Sequence, residues 1–261
     1  MVESELLSLV VSIGDEILNR SGDTAMAEII DLRKNTTVMD LWAHREYVDG
    51  LNKIRPGVPV ITEESADPRL PADGTFWIVD PLDGTSSWQT GYDGFVTQCA
   101  LFENHQIVKS VIYWPSKKIH WTYSIGKGCS FSGKKPKDAS SGFSIIDNYP
   151  IPSGLALRLF ESITKIKGCS YVEKGSIALK MMYVCEHWSS LFCKDVLFRL
   201  WDIAPVVPFA RAENILIADR RMKPLAMDRL LFSEGLIVCS KQTDSAELSL
   251  IRDTFDEYRL R

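Results

Sequence analysis

No Cys-x-x-Cys pair occurs among the six cysteines (Cys99, Cys129, Cys169, Cys185, Cys193, Cys239), and no histidine stands at zinc-site spacing from them. A structural zinc site and a dithiol redox motif are both excluded on that ground. The four histidines, His44, His105, His120 and His187, form no recognisable Ser/His or Cys/His motif, so a nucleophilic triad has no carrier. No apolar run is long enough to span a bilayer. A net charge of −4 without a basic stripe gives no footprint for a nucleic-acid polymer. Repeats, low-complexity tracts and linkers are missing too. Met1-Val2-Glu3-Ser4-Glu5 is acidic where a secretory signal would be basic. The expectation is a reducing cytoplasm, with most cysteines acting as small core residues.

What is present suits a globular chain. Its 261 residues are 45% hydrophobic, enough for one compact unit of two intimate halves, 1–140 and 141–261. Leu6, Leu9, Val10, Ile13 and Ile17 recur at helical spacing and predict an opening amphipathic helix. A helix is predicted over 39–54, stopped by Pro56-Gly57, and then a strand over 58–62. Segments 95–102, 107–114 and 119–123 read as sequential antiparallel strands. In the second half, helices are predicted over 151–166, 176–186, after Asp202 and over 245–258. Strands are predicted there at 168–172, 191–198 and 236–239. The pattern implies layered helices and sheets, a mixed α and β (α+β) fold.

The most informative run is Trp77-Ile78-Val79-Asp80-Pro81-Leu82-Asp83-Gly84-Thr85. Phe76 to Val79 reads as a buried strand, and Pro81, which has no N–H, is expected to end it. Asp80 and Asp83 then aim across a turn at one point. Gly84 permits close approach of the backbone, and Thr85 opens a helix whose free N–H groups favour an anion. Oxygen ligands beside an anion cradle are what a divalent metal and a phosphate require. The same residues also make ordinary surface turns. Two distant segments weigh against that reading: Val60-Ile61-Thr62-Glu63-Glu64-Ser65, a strand running into acids, and Leu200-Trp201-Asp202-Ile203-Ala204-Pro205, a lone Asp opening an apolar stretch.

Together the three segments resemble the inositol monophosphatase family of magnesium-dependent, lithium-sensitive phosphatases, with its Gly-Glu-Glu, Asp-Pro-Ile/Leu-Asp-Gly-Thr and late Trp-Asp motifs in this order. Gly175-Ser176-Ile177-Ala178-Leu179-Lys180 resembles the family's Gly-Ser-Ala-Ala helix start, and Thr37-Val38-Met39-Asp40 its Thr-x-x-Asp segment. The resemblance implies a layered α-β-α-β-α sandwich. It implies that Glu63, Asp80 and the Leu82 carbonyl hold one Mg2+, and that Asp80, Asp83 and Asp202 hold a second. A third, weaker ion leans on Glu63 through water, and Mn2+ is a possible substitute. Thr85 with Asp40 would orient the attacking water, and Glu63 shares in catalysis. For Asp40, the residues alone equally allow a helix N-cap. Asp83, Gly84, Thr85 and Ser176 would surround the phosphate, and a gap-free alignment back from Asp202 puts Asp195 where inositol phosphatases place a hydroxyl-binding acid. A homodimer acting on a small phosphorylated metabolite is implied as well.

The sequence departs from the family in two places. The Glu-Ala-Gly-Gly turn is replaced by Arg211-Ala212-Glu213-Asn214-Ile215; β-branched Ile tolerates a left-handed backbone poorly, so this turn must be built differently. The Gly-x-x-Asp before the last strand is also missing, with His187–191 in its place. Lys180, Lys194 and Arg199 lie nearby in sequence, as candidates for a second phosphate or a carboxylate, although such cations are commonly structural. The lysines at 134, 135 and 137, and the cluster Arg220, Arg221 and Lys223, read as solvated turns. The leading function is a phosphomonoesterase for an inositol monophosphate-like substrate. Histidinol phosphate, adenosine 3′,5′-bisphosphate and fructose 1,6-bisphosphate are alternatives, as is a non-catalytic metal-binding paralogue with a regulatory role.

Overall fold

Leu6, Val10, Ile13 and Ile17 fall on one stripe of the first helix, Val2–Asn19, and all are buried. They pack with Met39, Ala43, Tyr47 and Leu51 of the helix Val38–Ile54 onto Trp77, Val79 and Cys99, one face of a six-stranded sheet. The computed structural model describes residues 2–32, 35–140, 142–148 and 150–259. Ser141, the first residue of the predicted second half, lies outside the described residues.

The other face of that sheet, with Ile78, Ala100 and Ile112, joins the largest core. Helices Ile177–Cys185 and Val207–Ala212 fill this layer, closed by Ile146, Phe192 and Val238 of a five-stranded sheet. The alternate residues Ile145, Leu191, Cys193 and Ile237 face outward under the helices Gly154–Thr164 and Ser245–Arg259. The resulting order is helix, sheet, helix, sheet, helix, as the resemblance implied. No helix among the described residues is long and apolar enough to cross a membrane.

Register positions the acids. Strand Val60–Thr62 runs parallel to Phe76–Asp83, with Thr62 opposite Val79. Continuing that register sets Glu63 level with Asp80. On its other side, Phe76–Asp83 pairs antiparallel with Val96–Glu103, Asp80 opposite Gln98 and Asp83 opposite Val96. Pro81 therefore does not end the strand as expected. The ladder resumes at Asp83 after one extra residue, a β-bulge at the position where Pro81 has no N–H to give.

Other expectations shift locally. The 191–198 strand divides into Leu191–Lys194 and Phe198–Arg199, which belong to different sheets. Strands Ser144–Asp147 and Ile215–Ala218 were not foreseen. At the altered turn, Asn214 takes the left-handed position (φ 56°), which lets Ile215 begin a strand in extended backbone.

Candidate active site

Three elements deliver the carboxylates: the end of strand Val60–Thr62 (Glu63), the bulged strand (Asp80, Asp83) and the one-turn helix Leu200–Ile203 (Asp202). Buried Gln98 ties the last two together. Its Nε2 donates to the Trp201 carbonyl (3.1 Å) and lies 3.5 Å from Asp83 Oδ2. Sequence reading missed Gln98, because a polar residue inside an apolar strand does not reveal its partner.

The four acids form one electrostatic group. Burial foremost, then Asp202, Glu64, Asp40 and Asp83, holds the Glu63 carboxyl well above its usual range. Asp80 is pushed up by burial and then by Glu63, Asp83 and Asp202. Asp202 rises to about 7, chiefly through burial and then Asp83, against the pull of Arg199. Asp83 is raised by burial but opposed by the Ser176 hydroxyl, the Ala178 N–H, Lys180 and the Ile177 N–H.

Among the described residues, no three of these side chains are drawn into a closed ligand set. Several of them turn instead to donors of the chain. Asp80 Oδ1 accepts from the Leu82 N–H (3.2 Å), and Asp202 Oδ2 from the Arg199 N–H (2.6 Å). Asp83 accepts from Ser176 Oγ (2.6 Å), Ala178 N (2.8 Å) and Ile177 N (3.1 Å) at the start of the helix Ile177–Cys185. Asp80 and Asp83 are buried and Glu63 and Asp202 half-buried, and mutually raised oxygen donors of this kind are the chemistry that a hard divalent cation takes.

Beside them, Gly84 caps the short helix Thr85–Gln89 with φ 102°, and a side chain there would meet the Gly94 carbonyl at 2.9 Å. Thr85 Oγ1 lies 3.2 Å from Asp40 Oδ1 and 3.1 Å from the Leu82 carbonyl, so its single proton serves one at a time. Asp40 is not the N-cap of its helix. Thr37 is, and Asp40 completes the capping box by accepting from the Thr37 N–H (2.7 Å). Its other oxygen is thereby left to Thr85. Burial raises the Asp40 carboxyl, and the Thr37 and Thr85 bonds oppose the rise.

Gly84 and Thr85 line a cleft of about 590 Å³ with Asn35, Ser87, Tyr92, Asn148 and Gly175. Of the residues assigned to phosphate, Ser176 is placed elsewhere: it is fully buried and spends its hydroxyl on Asp83. Asp195 is held by Arg259 of the closing helix (2.6 Å). Lys180 is buried beneath the cleft, donating to the Gly175 carbonyl (2.9 Å) and to Asn148. Burial, then Lys194, brings its ammonium down to about 7. Lys194 pairs with Asp147 (3.0 Å), and Glu64 accepts from Thr36 (3.1 Å).

A model of the inositol monophosphatase family matches residues 12–256. The chain belongs to this family. That membership puts it among phosphatases of small phosphorylated metabolites. It is 35% identical over 200 residues to the 3′(2′),5′-bisphosphate nucleotidase CysQ of Salmonella typhimurium, covering 72% of this chain and 78% of that protein. To the inositol-1-monophosphatase of Aeropyrum pernix it is 27% identical over 241 residues, covering 86% and 88%. The fold matches an IMPase of Thermotoga maritima with a TM-score of 0.75 over 97% of each chain, at 21% identity.

Proposed function

We propose that this family member is a magnesium-dependent phosphomonoesterase acting by direct attack of water. What supports the reading is the mutual electrostatic influence of Glu63, Asp80, Asp83 and Asp202, together with the Thr85–Asp40 hydrogen bond at the edge of the cleft. Glu63, Asp80 and the Leu82 carbonyl would hold one ion, and Asp80, Asp83 and Asp202 another. Bound magnesium supplies positive charge to the phosphate and the leaving oxygen and acidifies water. The chain supplies orientation. Asp40, fixed by Thr37, accepts from the Thr85 hydroxyl, which in turn presents an oxygen lone pair to the water's proton. The N–H groups of Thr85 and Ser86, at the start of the helix, would face an anion bound at Gly84.

The substrates we propose are an inositol monophosphate and, given the CysQ relatives, a 3′(2′),5′-bisphosphate nucleotide. We propose a cytoplasmic location, where the six cysteines stay as thiols. We propose a homodimer, to be checked by sedimentation. The deciding experiment is turnover of inositol monophosphate, histidinol phosphate, adenosine 3′,5′-bisphosphate and fructose 1,6-bisphosphate, with magnesium, with manganese and with neither. Release of phosphate only with metal is expected. Failure on all four and on p-nitrophenyl phosphate would favour the non-catalytic paralogue. A quench with labelled substrate should trap no phosphoenzyme, and a stoichiometric adduct would refute direct hydrolysis.

A further inference from the structure

A second cleft, of about 610 Å³, adjoins the first. Tyr92 lines both, and the segment Glu173 to Gly175 runs from one to the other, with Lys174 in the second. In a chain of net charge −4, this cleft is lined by five lysines against two aspartates. Two of the lysines are committed. Lys174 is buried, bonded to Asp138 (2.5 Å) and set near the rings of Tyr92, Trp114 and Tyr183. Lys117 pairs with Asp93. Among the described residues, no carboxylate pairs with Lys134, Lys135 or Lys137, so the cleft presents a surplus of positive charge.

These three lysines are exposed in a turn, as their composition implies, and the structure fixes the C-terminal end of their loop. Asp138 accepts from Lys174 and from the Tyr183 hydroxyl (2.9 Å), and the Ser140 N–H donates to the Trp188 carbonyl (2.8 Å). Pro136 stiffens the Lys-Lys-Pro-Lys segment between the uncommitted charges. The lysines are thus carried on a loop, anchored at Asp138, along the wall of a cleft that adjoins the one at Gly84 and Thr85.

We propose that this cleft is a subsite for a second phosphate on the substrate, with Lys134, Lys135 and Lys137 selecting molecules that carry two phosphates over those that carry one. The proposal rests on the phosphomonoesterase reading. The scissile phosphate lies at Gly84 and Thr85, the scaffold passes Tyr92, and the distal phosphate meets the lysines. Clustered ammonium groups attract a dianion far more than a neutral hydroxyl, and salt screens that attraction.

The test compares adenosine 3′,5′-bisphosphate with adenosine 3′-monophosphate in the wild type and in the triple variant K134S/K135S/K137S. The wild type should favour the bisphosphate. The ratio of the two kcat/KM values should fall about tenfold in the variant, mainly through the KM for the bisphosphate. The preference should also shrink in the wild type as salt is raised. An unchanged ratio would overturn the subsite while leaving the phosphatase reading intact, because the monophosphate reports on that reading separately. A parallel measurement distinguishes a free anion as the occupant. If the variant loses sensitivity to added inorganic sulfate but keeps its substrate ratio, the cleft takes a free oxyanion and the proposal falls. A direct readout covers the case of no turnover: binding of the bisphosphate by calorimetry with Ca2+ in place of Mg2+ should weaken in the variant, and equal affinity would overturn the subsite.

Discussion

Asp83 and Asp80 stand three residues apart on one strand and are handled differently. Asp83 is met by a hydroxyl and two backbone N–H groups at a helix start, and those donors oppose the rise that burial imposes. Asp80 takes one neighbouring N–H, and burial, then Glu63, Asp83 and Asp202, push its carboxyl up. The chain supplies its own positive ends for Asp83, and on the proposed reading a cation would balance the raised Asp80. A metal site of this kind is part scaffold and part deficit, and the deficit is the part that cation binding relieves.

The sharpest way to break this comparison is Asp80→Asn. It removes charge from the side that depends on a cation, and turnover should drop at least about a hundredfold, as for lost electrostatic stabilisation of a transition state. Without metal, the same variant should melt no lower than wild type, because it relieves repulsion. A steady-state assay and a melting curve in chelator check both halves, and an undiminished rate would remove Asp80 from its role.

Ser176→Ala attacks the side supported by the chain. It removes both a helix cap and a bond to Asp83, and should cost about 1–3 kcal/mol of stability in urea unfolding. A loss of activity without a loss of stability would mean that Ser176 works in the cleft after all.

Acid pH sharpens the contrast. Carboxyls whose folded pKa lies above the unfolded value stabilise the fold fully below the unfolded value and lose that contribution as pH rises through the folded one. Glu63 and Asp80 are raised, and Asp202 reaches about 7. Metal-free protein should therefore melt at lower temperature as pH climbs from about 4 to about 7. Magnesium should flatten or reverse the trend. A metal-free melting temperature that rises over this interval would contradict the shared repulsion.

The smallest effect concerns lithium. A small monovalent ion taken up between Asp80, Asp83 and Asp202 would bring less charge to the leaving oxygen. Partial inhibition is expected, changing in extent with magnesium. Full activity in high lithium at limiting magnesium would separate this site from the family's behaviour.

Of the candidate site, Asp80 and Asp83 stand out in the sequence because acids beside Pro and Gly at a strand end carry a chemical reason to be there, while Glu63 and Asp202 take theirs from the resemblance. Glu63, Asp80, Asp83 and Asp202 were all named from their segments. The strands Phe76–Asp83, Val96–Glu103 and Gln106–Trp114 were legible as apolar runs. What escaped depended on partners distant in the chain. Gln98 acquires meaning only once Trp201 and Asp83 arrive beside it. Ser176 resembles a ligand-binding serine until Asp83 takes its hydroxyl. Strand Ser144–Asp147 is four residues long and becomes a strand by lying between two others. The Lys134–Lys137 stretch is exposed, as its composition implied, but its tether through Asp138 to Tyr183 depends on a residue far along the chain.

The bulge at Pro81 has a further consequence, one of parity. Side chains of a regular strand alternate sides, so residues three apart point opposite ways. One extra residue between Asp80 and Asp83 resets that count and lets both acids serve a common side. It also inserts a peptide carbonyl, that of Leu82, between them. A strand shortened by one residue here would still carry two like-facing acids, but with one peptide carbonyl fewer between them. The number of charges at this centre and the number of oxygens are therefore set independently, the first by side chains and the second by a miscount in the ladder.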